Sequence, residues 1–75
     1  MNSKVFEIIN EIRAAKGLAS VDNITDEMKL REDLNLTSFD LAELTVKIED
    51  EFDIDIFEDG LVSTIGEIFE KLEKQ

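Results

Sequence analysis

Apolar residues recur at the spacing of an α-helix in three segments of this 75-residue chain, and this periodicity constrains the fold more than any other feature. The first segment, residues 3–16, is followed by Gly17, a typical helix stop. The second begins at Thr37 and ends near Phe52, and the third begins after Thr64. The positions on the inward faces are Val5, Ile8, Ile9, Ile12 and Ala15, then Leu41, Leu44, Ile48 and Phe52, then Ile65, Ile68, Phe69 and Leu72.

Both later helices begin with the pattern of a capping box. In this motif a hydroxyl side chain and a carboxylate three residues further on each bind the other residue's backbone N–H. The two pairs are Thr37 with Asp40 and Thr64 with Glu67. Because Thr37 takes the capping role, we expect Ser38 to point outward from the first turn of its helix.

The segments between the helices have no sustained period. Residues 17–36 contain spaced apolar side chains, which predict a long loop packed on the core, with a helical turn near residues 26–30. Residues 52–56 alternate apolar and acidic but have no second strand to pair with, so we expect an extended linker. A short helix is predicted around residues 58–62. The expected fold is therefore all-α, a small four-helix bundle of three long helices and one short one with a long first loop, forming a single domain over residues 1–75.

Several residue types are missing, and their absence excludes whole kinds of chemistry. The chain has no Cys, His, Trp, Tyr or Pro. Without Cys or His there are no disulfides, no thiol nucleophile, no hydroxyl nucleophile activated by His, and none of the ordinary zinc or copper sites. The remaining acid-base groups are carboxylates without an obvious pocket. We therefore expect a protein that is not an enzyme.

The charge of the chain limits its partners. With 8 basic and 19 acidic residues the net charge is −11, which repels phosphate backbones and anionic lipid headgroups. No run of consecutive apolar residues is longer than two, so neither a membrane span nor a signal segment is predicted. We expect a cytoplasmic protein with no nucleic-acid partner and no membrane insertion. Because residues 33–70 contain a single base, Lys47, a charged partner should be basic.

One acidic stretch is similar to part of a calcium-binding loop. Asp53, Asp55 and Asp59 alternate with other residues ahead of Gly60, as oxygen ligands do in helix-loop-helix sites. The register does not fit, because a loop that starts at either of the first two aspartates places Phe57 at a ligand position. We therefore predict no dedicated metal site.

The sequence from Leu30 to Phe52, LREDLNLTSFDLAELTVKIEDEF, resembles the modification region of acyl carrier proteins. The resemblance extends over nearly the whole chain, from the first helix and long loop to the final helix with its T-x-x-E start. In that family the serine after the loop carries 4′-phosphopantetheine through a phosphodiester, and the matching position is Ser38. A phosphate there would meet the positive end of a helix dipole. The arm would also supply the thiol that the polypeptide lacks.

Three positions depart from the usual pattern of that family. The usual triplet Asp-Ser-Leu is Thr37-Ser38-Phe39 here, and Asn35 stands where a glycine is common. Thr caps a helix nearly as well as Asp, and Asn accepts a left-handed backbone better than other non-glycine residues. The lost negative charge indicates a specialised carrier rather than the housekeeping one, and affects which phosphopantetheinyl transferase accepts it.

The resemblance also implies that the acidic second helix docks on basic patches of partner enzymes. The expected partners are a phosphopantetheinyl transferase and enzymes that transfer or modify acyl groups, and the chain is expected to be a monomer. Charged contacts speed encounter and set orientation more than they deepen affinity, so we expect weak, salt-sensitive docking. The predicted docking residues are Phe39, Asp40, Glu43, Val46, Glu49 and Asp50.

The sequence leaves the cargo open. An acyl group of fatty-acid, polyketide or related biosynthesis, a peptidyl group and a D-alanyl group all suit a thioester-bearing arm, with Phe39 and the acidic helix favouring acyl cargo. An unmodified acidic helical adaptor, in which Ser38 is only structural, is the alternative function. In the family the bundle interior can shelter an acyl chain. Residues that could line it, or simply pack in the core, are Val46, Ile48, Ile56, Leu61 and Ile65.

Overall fold

The described part of the chain folds into three helices. The computed structural model describes residues 2–57, 60 and 62–73. Its helices in chain order are α1 (Asn2–Ala15), α2 (Ser38–Phe52) and α3 (Ile65–Glu73), which confirms the all-α class and the three long helices. The short helix predicted around residues 58–62 falls largely on positions 58, 59 and 61, which lie outside the described residues.

One apolar core joins the three helices to the loop between α1 and α2. Each fully buried Leu or Ile side chain contributes about 1.5–3 kcal/mol to folding. Ala15, predicted on the inward face of α1, is exposed at the last residue of the helix. The buried apolar residues are Val5, Ile8, Ile9 and Ile12 of α1, Leu30, Leu34 and Leu36 of the loop, Leu44 and Ile48 of α2, Ile56 and Val62 of the following segment, and Ile65, Ile68 and Leu72 of α3.

The third helix is capped as its sequence predicts. The Glu67 carboxylate accepts hydrogen bonds from the backbone N–H groups of Ser63 (2.6 Å) and Thr64 (3.0 Å), and these bonds lower the pKa of that carboxyl below its ordinary value. In return the N–H of Glu67 donates to Thr64 Oγ1 at 3.3 Å. The ring of Phe69 in α3 packs edge-to-face with the ring of Phe6 in α1, and the two ring centroids are 5.8 Å apart.

The long loop packs on the core and on the start of α3, as expected. The N–H of Leu30 donates to the Ser63 carbonyl (2.9 Å), and the N–H of Ile65 donates to the Met28 carbonyl (3.1 Å). The helical turn predicted near residues 26–30 is instead a hydrogen-bonded turn, in which Met28 N–H donates to Thr25 O, followed by the bridge at Lys29. Within the described residues these contacts form an isolated bridge and no strand.

Two cations at the end of α1 hold the second half of this loop. The guanidinium of Arg13, 8% exposed, donates to the Leu34 carbonyl at 2.6 Å and, through Nε and Nη2, to the Ala19 carbonyl. Lys16 Nζ donates to the Asn35 carbonyl at 2.6 Å. A buried charge is tolerated only when hydrogen bonds replace its lost hydration, and these carbonyls do so. The segment just before α2 is therefore fixed to α1.

Candidate functional site

The start of α2 places Ser38 at the surface. Thr37 is the N-cap, with φ −87° and ψ 175°, and its hydroxyl accepts a hydrogen bond from the N–H of Asp40. The carboxylate of Asp40 accepts in turn from the N–H of Thr37 at 2.9 Å. This confirms the predicted capping box. Ser38 is the first residue of the helix and is exposed, so its hydroxyl is available for chemistry because Thr37 performs the capping.

Asn35 turns the chain into this helix through a left-handed backbone. Its φ is +60°, in the left-handed region, which Asn adopts more readily than most other non-glycine residues. The predicted tolerance of Asn at this position is therefore explained by its backbone. The neighbouring Leu36 is buried and donates its N–H to the Leu30 carbonyl at 3.1 Å.

Asp40, one of the predicted docking residues, is buried rather than exposed. Its side chain is 8% exposed, and Oδ2 accepts from Lys16 Nζ (2.6 Å), from Thr37 N–H (2.9 Å) and from Thr37 Oγ1 (3.1 Å). The bond from Lys16, followed by those from Thr37, lowers the pKa of this carboxyl. Asp40 is a structural carboxylate that holds the first turn of α2, so it is not part of the exposed helix face.

The other predicted docking residues lie toward the solvent side of α2, where four are exposed and Glu43 is half-buried. Phe39 is 78% exposed and Val46 is 64% exposed, and both are large apolar side chains. Positions i, i+4, i+7 and i+11 lie on the same side of a helix, which brings Glu43 and Asp50 into line with them. We call this surface the α2 outer face, consisting of Phe39, Glu43, Val46, Glu49 and Asp50.

Sequence reasoning missed Arg31. Its Nη1 donates to Ser38 Oγ at 3.3 Å, so the structure places a guanidinium directly beside the candidate hydroxyl. A signal was present, because Arg31 is the basic residue in the segment that leads to the serine. The sequence does not show that the turn at residues 30–33 brings this side chain to Ser38, seven positions further along the chain.

An apolar recess opens next to Ser38. A cavity of about 240 Å³ is lined by Ser38, Arg31, Leu41, Ala42, Thr45 and Phe57. A second cavity, of about 350 Å³, shares Arg31, Leu41 and Phe57 with the first and continues to Val62 and Thr64. The two together form a groove between α2 and the segment before α3, which we call the Leu41/Phe57 groove.

The residues considered for lining an interior chamber are placed differently. Ile48, Ile56 and Ile65 are fully buried and pack in the core. Val46 cannot line the interior because its side chain is on the α2 outer face. Leu61 lies outside the described residues.

Metal and membrane features are limited to what the described residues show. Among residues 2–57, 60 and 62–73, no three or more acidic residues cluster closely enough to hold a metal ion. In the same part of the chain, no helix has both the length and the apolar character needed to cross a membrane.

Comparison with known proteins defines the class to which this fold and site belong. A family profile described as "Phosphopantetheine attachment site" matches residues 7–72. The acyl carrier protein of Amoebophilus asiaticus is 36% identical over 100% of this chain and 91% of its own length. That of Saccharopolyspora erythraea is 35% identical over 89% of this chain and 73% of its own, and that of Thermotoga maritima is 31% identical over 96% and 91%.

These matches identify a phosphopantetheine-binding carrier. The chain belongs to the acyl carrier protein family. It bears phosphopantetheine, carries acyl intermediates and is a carrier rather than an enzyme.

Proposed function

We propose that Ser38 is the residue that receives the phosphopantetheine arm. The observation that carries this proposal is that Thr37 caps α2, so that the hydroxyl of Ser38 is exposed and is not needed as the cap. The first turn of a helix has N–H groups without intrahelical partners and the positive end of the dipole, so it favours a bound phosphate. Arg31, 3.3 Å from the hydroxyl, adds a positive charge at the same place.

The chain's own residues bind and orient the arm, and the arm supplies a thiol that holds the acyl group as a thioester. During loading, Ser38 Oγ forms a bond to the phosphorus that bears the pantetheine arm as the pyrophosphate bond of coenzyme A breaks, and the nucleotide half leaves as adenosine 3′,5′-bisphosphate. The hydroxyl proton must pass to a base on the transferase, because the chain has no His and its buried carboxylate Asp40 is already bound by Lys16 and Thr37. The Leu41/Phe57 groove beside Ser38 gives apolar cargo a place to lie, which supports an acyl rather than a D-alanyl load.

Docking uses the α2 outer face. Phe39 and Val46 provide apolar contacts, and Glu43, Glu49 and Asp50 add carboxylates to the same face. This surface suits a basic patch with an apolar centre on a phosphopantetheinyl transferase or on an enzyme of fatty-acid, polyketide or related biosynthesis. Docking of this kind is fast and reversible, as a carrier that visits several enzymes requires.

The remaining features of the proposal follow from the sequence. Residues 1–75 act as one carrier domain, monomeric and cytoplasmic, with neither nucleic acid nor membrane as a partner because the net charge is −11. Thr37 in place of the usual Asp makes this a specialised carrier with its own transferase preference.

Intact-protein mass tests the proposal. Wild-type protein, Ser38→Ala and Ser63→Ala are each incubated with coenzyme A and a broad-specificity phosphopantetheinyl transferase, and the mass of protein from native cells is measured alongside. Ser63 is a matched control, an exposed serine next to the start of α3. We expect one phosphopantetheine increment on wild type and on Ser63→Ala, and none on Ser38→Ala.

The other outcomes are equally informative. An increment in native cells but not with the broad transferase makes Asn35 and Thr37 determinants of a dedicated enzyme. An increment that persists on Ser38→Ala moves the attachment to another residue. No increment in any preparation leaves the unmodified acidic adaptor as the function.

A further inference from the structure

The Nη1 atom of Arg31 lies 3.3 Å from Ser38 Oγ, and both side chains line the same cavity. We propose that Arg31 binds the phosphodiester on Ser38 and holds the root of the arm at the mouth of the Leu41/Phe57 groove. This inference rests on the proposed attachment at Ser38. It gives the chain a positioning residue for the arm that lies outside α2.

The backbone on both sides of Arg31 is fixed, so its place beside Ser38 is a property of the fold. Leu30 is fully buried, donates its N–H to Ser63 O and accepts from the N–H of Leu36 at 3.1 Å. On the other side, the N–H groups of Asp33 and Leu34 both donate to the Lys29 carbonyl. A side chain that extends from an anchored turn loses less conformational entropy on binding than one on a free loop.

The hydrogen bonding between Arg31 and residue 38 becomes stronger when the serine carries the phosphodiester. In the unmodified protein the guanidinium donates to a neutral hydroxyl oxygen. In the phosphodiester that oxygen remains an acceptor, and the two non-bridging oxygens on phosphorus carry a full negative charge. A guanidinium has five N–H donors in a planar fork, which suits two phosphate oxygens better than one hydroxyl.

The distribution of cations makes Arg31 the group available for this role. Arg13 is committed to loop carbonyls, and Lys16 is paired with Asp40. Arg31 forms no ion pair with any carboxylate among residues 2–57, 60 and 62–73. An anion placed on a chain of net charge −11 is repelled by its surroundings, and a cation at the attachment point offsets that repulsion.

The position of Arg31 also directs the arm. Arg31, Leu41 and Phe57 line both cavities of the groove, so a phosphate held by the guanidinium starts the arm at the point where the two cavities meet. The contact is at the surface, where a charge pair shifts a population by up to about fivefold. The arm therefore remains free to leave the groove when a partner enzyme engages it.

Nuclear magnetic resonance of the loaded protein tests the contact. The Nε–Hε signal of Arg31 is compared between unloaded and loaded wild type, which requires no substitution. The phosphorus signal of loaded wild type is then compared with those of Arg31→Gln and Lys29→Gln, with loading driven to completion and checked by mass. Lys29→Gln is the matched control, because it removes the same charge from the same loop. Lys29 lines the larger cavity of the groove but not the cavity that Ser38 lines.

We expect the Arg31 signal to shift on loading, and the phosphorus signal to shift and its transverse relaxation to slow in Arg31→Gln but not in Lys29→Gln. Salt of about 1 M should remove the wild-type effect, because the screening length is then only ~3 Å. If Ser38 carries the arm but the Arg31 signal does not move, or both variants give the wild-type phosphorus signal, the inference is wrong while Ser38 attachment stands. If mass shows no arm on Ser38, the proposed function fails first and this contact fails with it.

Discussion

Lys16 Nζ, in the turn after α1, lies 2.6 Å from Oδ2 of Asp40 in the first turn of α2. The same oxygen accepts two hydrogen bonds from Thr37, so the end of one helix and the cap of the next converge on a single atom. Asp40 is two residues from Ser38, the proposed attachment residue. The pair therefore fixes where α2 begins relative to α1, and with it the position of Ser38.

Removing the Asp40 carboxylate should destabilise the protein substantially. Asp40→Ala loses the ion pair and half of the capping box, and we expect the free energy of unfolding to fall by about 2–4 kcal/mol. Lys16→Met leaves the Thr37 hydrogen bonds in place and should cost less, about 1–2 kcal/mol. Urea unfolding of both variants and of the double variant measures the coupling between them.

Asp50→Ala is the control for that series, because Asp50 is an exposed acid on the same helix. Its effect should stay within about 0.5 kcal/mol of zero. Equal effects of Asp40→Ala and Asp50→Ala would show that the Lys16 contact contributes nothing to stability.

The Asp40 pair also predicts a pH dependence. The hydrogen bond from Lys16, with those from Thr37, lowers the pKa of Asp40 below its ordinary value of 3.8. Because the folded state then binds a proton less readily than the unfolded chain, Asp40 stabilises the fold fully above pH 3.8, and this stabilisation is lost as the pH falls through the lower folded value. The stability difference between wild type and Asp40→Asn should be constant near neutral pH and shrink below about pH 4. A difference that stays constant down to acid unfolding would contradict the lowered pKa.

The backbone at Asn35 makes a separate prediction. With φ at +60°, Asn35→Gly should fold as well as wild type, whereas Asn35→Ala should lose about 1 kcal/mol because a Cβ-bearing side chain without a local hydrogen bond disfavours this conformation. Asn23→Ala is the matched control, since Asn23 is an exposed loop asparagine without a positive φ. Thermal unfolding of the three variants checks the order. A loss in Asn23→Ala as large as that in Asn35→Ala would remove the backbone explanation.

The helices could be predicted from the sequence because their apolar periodicity and capping boxes are local patterns. Contacts between residues far apart in the sequence could not be predicted from such patterns. The Thr37 and Thr64 capping boxes act within four residues, so their pattern is complete in the sequence. The burial of Asp40 depends on Lys16, 24 positions earlier, and no periodicity connects the two. For the same reason Arg31 was missed beside Ser38, because a loop without a regular period gives no register from which to place its side chains.

Two neighbouring apolar residues of α2 should differ sharply in their effect on stability. Ile48 is fully buried, and Ile48→Ala should lower the free energy of unfolding by about 2–5 kcal/mol through lost burial and a residual cavity. Val46 is 64% exposed, so Val46→Ala should change it by no more than about 0.5 kcal/mol. Denaturant unfolding measures both. A large loss in Val46→Ala would place that side chain inside the protein and remove it from the α2 outer face.

Replacing apolar residues of the α2 outer face with polar ones should weaken partner binding and leave the fold unchanged. Phe39→Ser removes a side chain that is 78% exposed, so stability should hold while the kcat/KM of a phosphopantetheinyl transferase falls by about tenfold, the effect of losing ~1.4 kcal/mol of contact. Glu43→Gln should instead reduce the dependence of kcat/KM on salt, because charged contacts act mainly on the encounter rate. Asp22→Asn, an exposed acid in the long loop, is the control and should match wild type in both measurements. If Asp22→Asn lowers the salt dependence as much as Glu43→Gln, the partner responds to net charge alone and docking does not use this helix face.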